Sequence, residues 1–232
     1  MKKLLLSLLT IAGLSSPAIA RPTSYTYDFP QNPLVYPDEY YSYHSMGCLL
    51  LQECKDAVVE VTSVRDLEEY YDRELNLGSE FDKLLYLINK IGSKVYIAPE
   101  EYFPPGHRGV YHTVSNHFYL NDRYVKEEHI LLSVIRHEGW HMAQDCMAGD
   151  INNTFIAVIF DEEKIPQLWK DMAADTYPKE ALPWEQEAMW TGRVKDMTVD
   201  ALRACANGRM WETYEPTPLT RKFLVDEGYI KE

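Results

Sequence analysis

Near the middle of the chain the residues from Val134 to Cys146 read VIRHEGWHMAQDC, and their spacing narrows this region to a helix with polar chemistry on one side. From about Lys126 to Ala148 apolar residues recur at helical intervals, and Gly149 supplies a stop. Ile130, Val134, His137, His141 and then Gln144 or Asp145 share one side of that helix, the side expected to face a core. Imidazoles four residues apart lie one turn from each other, where both reach a single metal ion. Glu138 sits about 100° further round the helix, poorly aimed to be a third ligand but able to lean over an open face. Zinc suits imidazole ligands and lowers the pKa of a water that it binds toward about 7, so a neighbouring carboxylate can act as general base. The expectation is Zn2+ held by His137 and His141, with Glu138 as the catalytic group, which is the physical content of the pattern His-Glu-x-x-His. The plain alternative is a helix with two satisfied core histidines.

The chain begins MKKLLLSLLTIAGLSSPAIA. Two lysines precede an apolar run from Leu4 to Leu14, and small residues follow at Ala18 and Ala20. The run is shorter than the roughly 20 residues that a helix needs to cross a bilayer. This is the layout of a secretory signal, so residues 1–20 are expected to be cleaved near Ala20 and the protein to be secreted or periplasmic. No other stretch is apolar enough to span a membrane. The four cysteines, Cys48, Cys54, Cys146 and Cys205, suit such a compartment as two disulfides. Of the three connectivities, Cys48–Cys54 with Cys146–Cys205 is expected. The net charge of −13, or −15 without the two lysines of the leader, argues against nucleic acid and against anionic lipid as partners.

Residues 21–47 are rich in tyrosine and proline without sustained periodicity and read as an extended arm, leaving residues 48–232 for the folded domain. Within it, strands are expected in DAVVEVTSV, in KVYIA (94–98), and in VYHTV and HFYLN as a tight hairpin around Ser115–Asn116. A further strand is possible at FIAVIF, residues 155–160. Helices are expected from Ser63 to about Leu75, from Ser79 to Gly92, and after Pro166, Pro183, Thr198 and Thr217. Strands gather in the first half and helices in the second, so the fold class is α+β.

A metal held by two histidines needs a third ligand. The extended pattern with a downstream glycine and histidine is missing, because Gln144 and Met147 stand at those places. Forty-four residues after His141, LPWEQEAMW opens a new helix with Glu185, Glu187 and Ala188. Here the chain resembles the gluzincin-like zinc metallopeptidases, in which the first Glu of a Glu-x-x-Ala helix completes the site. The resemblance implies a zincin-like fold, with a small N-terminal sheet, the His-Glu-x-x-His helix and a mainly helical C-terminal half. It also implies His137, His141 and Glu185 as metal ligands, Glu138 as base, and Ala188 as the small residue allowing close helix approach. Glu187 stays open as a rival ligand. Many members place an Asp four residues after the ligand Glu to hold a ligand histidine; Met189 stands there, so Asp145, Asp171 and Asp175 are candidates for that task.

The expected function is hydrolysis of peptide bonds in a peptide or protein substrate by zinc-bound water. Two alternatives stand beside it: a binding protein or pseudoenzyme on the same scaffold, and a zinc cell-wall amidase. Tyr111, Tyr214 and the histidines His107, His112 and His117 are candidate donors to the reacting oxygen. An edge strand beside the metal cleft is expected to pair with substrate backbone.

Overall fold

The structure, a computed structural model, describes residues 43–50, 54, 58–149, 151 and 155–231. The leader of residues 1–20 and the arm as far as residue 42 lie outside the described residues; residues 43–47, assigned to the arm by sequence, open a helix instead. Along the chain run α1 (Tyr43–Leu50), β1 (Val59–Glu60), α2 (Val64–Tyr71), α3 (Gly78–Ile91), β2 (Lys94–Ala98), β3 (Gly109–His112), β4 (His117–Asn121) and α4 (Glu128–Met147). After them come α5 (Gln167–Thr176), α6 (Leu182–Thr191), α7 (Met197–Ala206), α8 (Met210–Thr213) and α9 (Pro218–Asp226). The protein is α+β, with one four-stranded sheet among the described residues and a mostly helical remainder.

Alternation along β2 and β4 explains the layering. Val95, Ile97, Phe118 and Leu120 point to one face and join the main core with Phe81, Leu84 and Ile88 of α3 and Leu131 and Ile135 of α4. Ala98 and Tyr119 point the other way, into a smaller cluster with Leu49 and Phe103. The strand order is β1-β2-β4-β3, with β2 and β4 parallel and both outer pairs antiparallel. β3 is thus an edge strand with β4 inside it, as expected. The hairpin turn is longer than expected: β3 stops at His112, whose ring bonds the Ser115 hydroxyl at 2.8 Å, and Asn116 closes the turn at φ 56°.

Several expected boundaries move for local reasons. The Asp66 carboxylate accepts the backbone N–H groups of Thr62 (2.7 Å) and Ser63 (2.8 Å) and starts α2, but Asp72 at φ 50° ends it short of Leu75. Asp196, rather than Thr198, stands before α7; the Thr198 hydroxyl instead donates to the Arg136 carbonyl on α4 at 3.0 Å. FIAVIF forms no strand, because the N–H groups of Ile159 and Phe160 are taken by the Glu187 carboxylate on α6.

Both expected disulfides are present, Cys48–Cys54 and Cys146–Cys205, with Cα separations of 5.3 and 5.8 Å. The second ties the end of α4 to α7. Two disulfides are compatible with an extracellular location. No helix among the described residues is long and apolar enough to cross a membrane.

Glu80 on α3 is 4% exposed and faces Arg136 on α4 as a forked pair, Nε to Oε1 at 2.9 Å and Nη2 to Oε2. Its Oε1 also accepts the N–H of Asp196 at 2.7 Å. Removing one partner of such a pair leaves a buried charge, which is costlier than losing a surface bridge. Glu80→Ala is expected to lower the unfolding free energy by about 3 kcal/mol in urea titration. A loss below about 1 kcal/mol would mean that the pair behaves as an exposed one.

Candidate metal centre

α4 supplies the first two residues of the site. Its helical spacing sets His137 and His141 one above the other, with ring centroids 4.8 Å apart and planes at 84°. Their Nε2 atoms lie 3.2 Å from each other. The third residue comes from α6, which Pro183 opens at its first turn. Glu185 in that turn sets Oε2 3.2 Å from His137 Nε2 and Oε1 3.6 Å from His141 Nε2. The donor atoms of His137, His141 and Glu185 all lie within 4.8 Å of one another, so the group could hold a metal ion. Glu185 Oε2 is buried yet makes no well-formed hydrogen bond, and a cation would satisfy that acceptor.

Small residues let α6 come this close. Ala188 is fully buried. A Cβ on Gly192 would stand 3.0 Å from the Ser133 carbonyl of α4 and 3.3 Å from the Cβ of His137. On the next face of α4, Gly109 does the same for β3, because a Cβ there would meet Val134 Cγ1 at 2.6 Å and Glu138 Cγ at 3.3 Å. The edge strand therefore lies directly against Glu138, and the Tyr111 N–H donates to Glu138 Oε2 at 2.8 Å. The Tyr111 hydroxyl donates to Asp145 Oδ2 at 2.8 Å, a second bond from one strand residue to the same helix.

Of the two acids on α6, Glu187 is not at the cluster. Two residues beyond Glu185 it points to the opposite side of the helix, where it is fully buried. Its Oε1 accepts the N–H groups of Ile159 (2.9 Å) and Phe160 (2.6 Å). Its Oε2 accepts Trp140 Nε1 (3.1 Å) and Gln144 Nε2 (2.8 Å). Burial raises the Glu187 carboxyl above its ordinary value, with these donors pulling the other way.

The described bonds of the aspartates proposed to orient a ligand histidine go to other residues. Asp145 is bonded by Tyr111, and Asp171 by Gln167 on an exposed surface; Asp175 is exposed on α5. The ring of His141 meets Gln144 instead, Nδ1 to Oε1 at 2.8 Å. The suggested donors make other contacts. Tyr111 faces Asp145, Tyr214 packs edge-on against Trp140, and His112 meets Ser115. His117 lies against Tyr96, and His107 contributes its carbonyl to Asn121. Tyr177, which nothing in the sequence singled out, is at the cluster: its ring lies nearly parallel to His137 with centroids 6.3 Å apart. Burial, then the charges of Glu185 and Glu138, raise its hydroxyl, and Arg108 opposes them. Gln144 did carry a signal, as an amide on the same side of the helix as the histidines.

Comparison of the chain with protein-family models, with curated proteins and with solved structures gives no match.

Electrostatics couple the three donors. Burial opposes charge on His141, but the Glu185 carboxylate, then Glu138 and Gln144, outweigh it and push the imidazole up to about 9. Burial also works against ionised Glu185, yet His141 and His137 hold it well below the usual carboxylate range. Without metal, His141 is thus protonated at neutral pH and paired with Glu185. A folded value raised above the ordinary 6.5 adds stability that is fully present below pH 6.5 and is lost as pH rises through about 9. The midpoint of thermal unfolding of the metal-free protein should fall across that window through this group. Metal uptake at pH 7.5 should release a proton from His141, measured by calorimetry in buffers of different ionisation enthalpy. Uptake without proton release would contradict this assignment.

Proposed function

We propose that the protein is an exported zinc metallopeptidase in which His137, His141 and Glu185 hold the metal and Glu138 is the general base. The observation that carries the reading is the spacing of the three donors. Tetrahedral zinc with bonds of about 2.0–2.1 Å places its ligand atoms roughly 3.3 Å apart. Here the two Nε2 atoms lie 3.2 Å apart, Glu185 sets Oε2 3.2 Å from His137 and its other oxygen, Oε1, 3.6 Å from His141, and one donor atom from each residue falls within 4.8 Å of the other two. Two imidazole nitrogens and a carboxylate form a donor set that suits zinc and leaves a position open for water. The leader pattern of residues 1–20 and the two disulfides support export.

Zinc in this place would supply a Lewis acid that polarises a carbonyl and makes water acidic near neutral pH. The chain does the rest. Glu138 Oε2 is held by the Tyr111 N–H, which fixes the carboxylate and leaves Oε1 to take the proton from water. The same Oε1 hands that proton to the departing amine. Tyr177, whose hydroxyl lies beside Glu185 and is held protonated, would be the group to donate a hydrogen bond to the oxygen that gains charge.

Glu138→Gln is expected to keep stoichiometric zinc and to lose peptide hydrolysis by at least about 100-fold, the lower end of what general base catalysis contributes. Metal content and cleavage of a peptide library, measured together, test this. Full activity in the variant would refute the role of Glu138. Zinc without turnover in the wild type on peptides or peptidoglycan would favour a binding protein, and turnover on peptidoglycan alone would favour the amidase.

A further inference from the structure

We propose that Glu187 is a positioning residue for His141: acting through Gln144, its carboxylate determines which ring nitrogen of His141 carries the proton and keeps Nε2 free for the metal. The inference rests on reading His137, His141 and Glu185 as the metal ligands.

The argument follows donors and acceptors along a buried line. Every described neighbour bonded to Glu187 is a donor: the N–H groups of Ile159 and Phe160, Trp140 Nε1 and Gln144 Nε2. The ionised, acceptor-only form is the one that these four complement. Gln144 is completely buried, so water cannot correct a misplaced amide. Its Nε2 meets two acceptors, Glu187 Oε2 at 2.8 Å and the Trp184 carbonyl at 3.2 Å. Turning the amide over would set its oxygen against both and leave three acceptors facing one another. Oε1 is therefore directed at His141 Nδ1, 2.8 Å away. An amide oxygen only accepts, so Nδ1 must carry the proton. Neutral imidazole has a single N–H, which leaves Nε2 with its lone pair directed at His137 and Glu185. The acceptor at the far end of the line thus decides which nitrogen of the ring carries the proton at the near end.

A residue that merely fastens α6 to the 159–160 segment predicts a different mutational pattern. In Glu187→Gln the amide oxygen can still accept the N–H groups of Ile159 and Phe160. Its NH2 then faces the NH2 of Gln144, and turning Gln144 over relieves that clash while setting its oxygen against the Trp184 carbonyl alone. The Gln144 nitrogen would then donate to His141 Nδ1, moving the neutral proton to Nε2, where the metal must bind. Gln144→Ala removes the line without reversing it.

The test measures zinc affinity by chelator competition, and the neutral tautomer of His141 by ring 15N chemical shifts in the metal-free protein. Gln144→Ala should weaken zinc about 10–100-fold, the usual cost of removing a partner of a ligand histidine. Glu187→Gln should weaken it further, and the double variant should return to the Gln144→Ala value, since no amide remains to face the wrong way. A double variant weaker than either single one is the pattern of a packing fastener and would overturn the proposal. The wild-type neutral ring should carry its proton on Nδ1, and that readout stands even if Glu187→Gln does not fold. A proton on Nε2 in the wild type overturns the proposal outright. A wild type that binds no zinc, with His141 still protonated on Nδ1, refutes the reading of the metal centre and not the control of the ring by Glu187.

Discussion

From Glu138 to Met147 every residue of α4 is buried, and Glu138, His141, Gln144 and Asp145 are polar side chains within that stretch. A buried polar group without a partner costs about 1–3 kcal/mol. The surrounding chain therefore has to deliver partners to one helix from several directions. β3 delivers the N–H of Tyr111 to Glu138 and its hydroxyl to Asp145. α6 delivers Glu185 to the histidines and Glu187 to Gln144. The irregular segment before α5 delivers the N–H of Ala157 to the Gln144 carbonyl at 2.9 Å.

Such convergence needs short distances between backbones. Gly109, Gly139 and Gly192 each stand where a Cβ would press on a neighbouring element, respectively α4 from β3, α7 from α4, and α4 from α6. At Gly139 the nearest atom would be Thr198 Cγ2 at 2.9 Å. The helix is thus approached by glycine or by small side chains on its crowded sides. The Cys146–Cys205 bond holds its C-terminal end against α7. Chemistry gathers on the side facing β3 and α6, while the side facing α7 is packing.

Much of this was legible in the chain. The period of α4, the two imidazoles one turn apart and a proline-opened helix carrying Glu185 and Glu187 follow from local spacing, whereas the edge-and-inner strand pair and Glu185 as the third residue come from the resemblance, and the disulfide pairing is one of three connectivities. The parts that were not legible depend on contacts between distant residues. FIAVIF has the composition of a strand, but the Glu187 carboxylate takes the N–H groups that a neighbouring strand would need. Glu185 and Glu187 look alike in a first turn, where both suit the helix dipole. Their roles part because two residues of helix turn them to opposite sides. Tyr177 follows an exposed helix and precedes a proline, with no local sign that its ring would lie beside His137.

By itself the sequence determined the α+β class and the helix carrying His137, Glu138 and His141, because periodicity and spacing are properties of neighbouring residues. Only the tertiary structure decided which acid stands at the histidines, which amide holds His141, and which strand residue holds Glu138. The acid and the strand residue rest on distances of about 3 Å between residues 48 and 27 positions apart, and Gln144, three positions from His141, is turned toward it by its partners on α6; all depend on how closely α4, α6 and β3 can approach. Glycine and alanine positions set that approach, and the need to pair every polar group inside α4 then selects the partners.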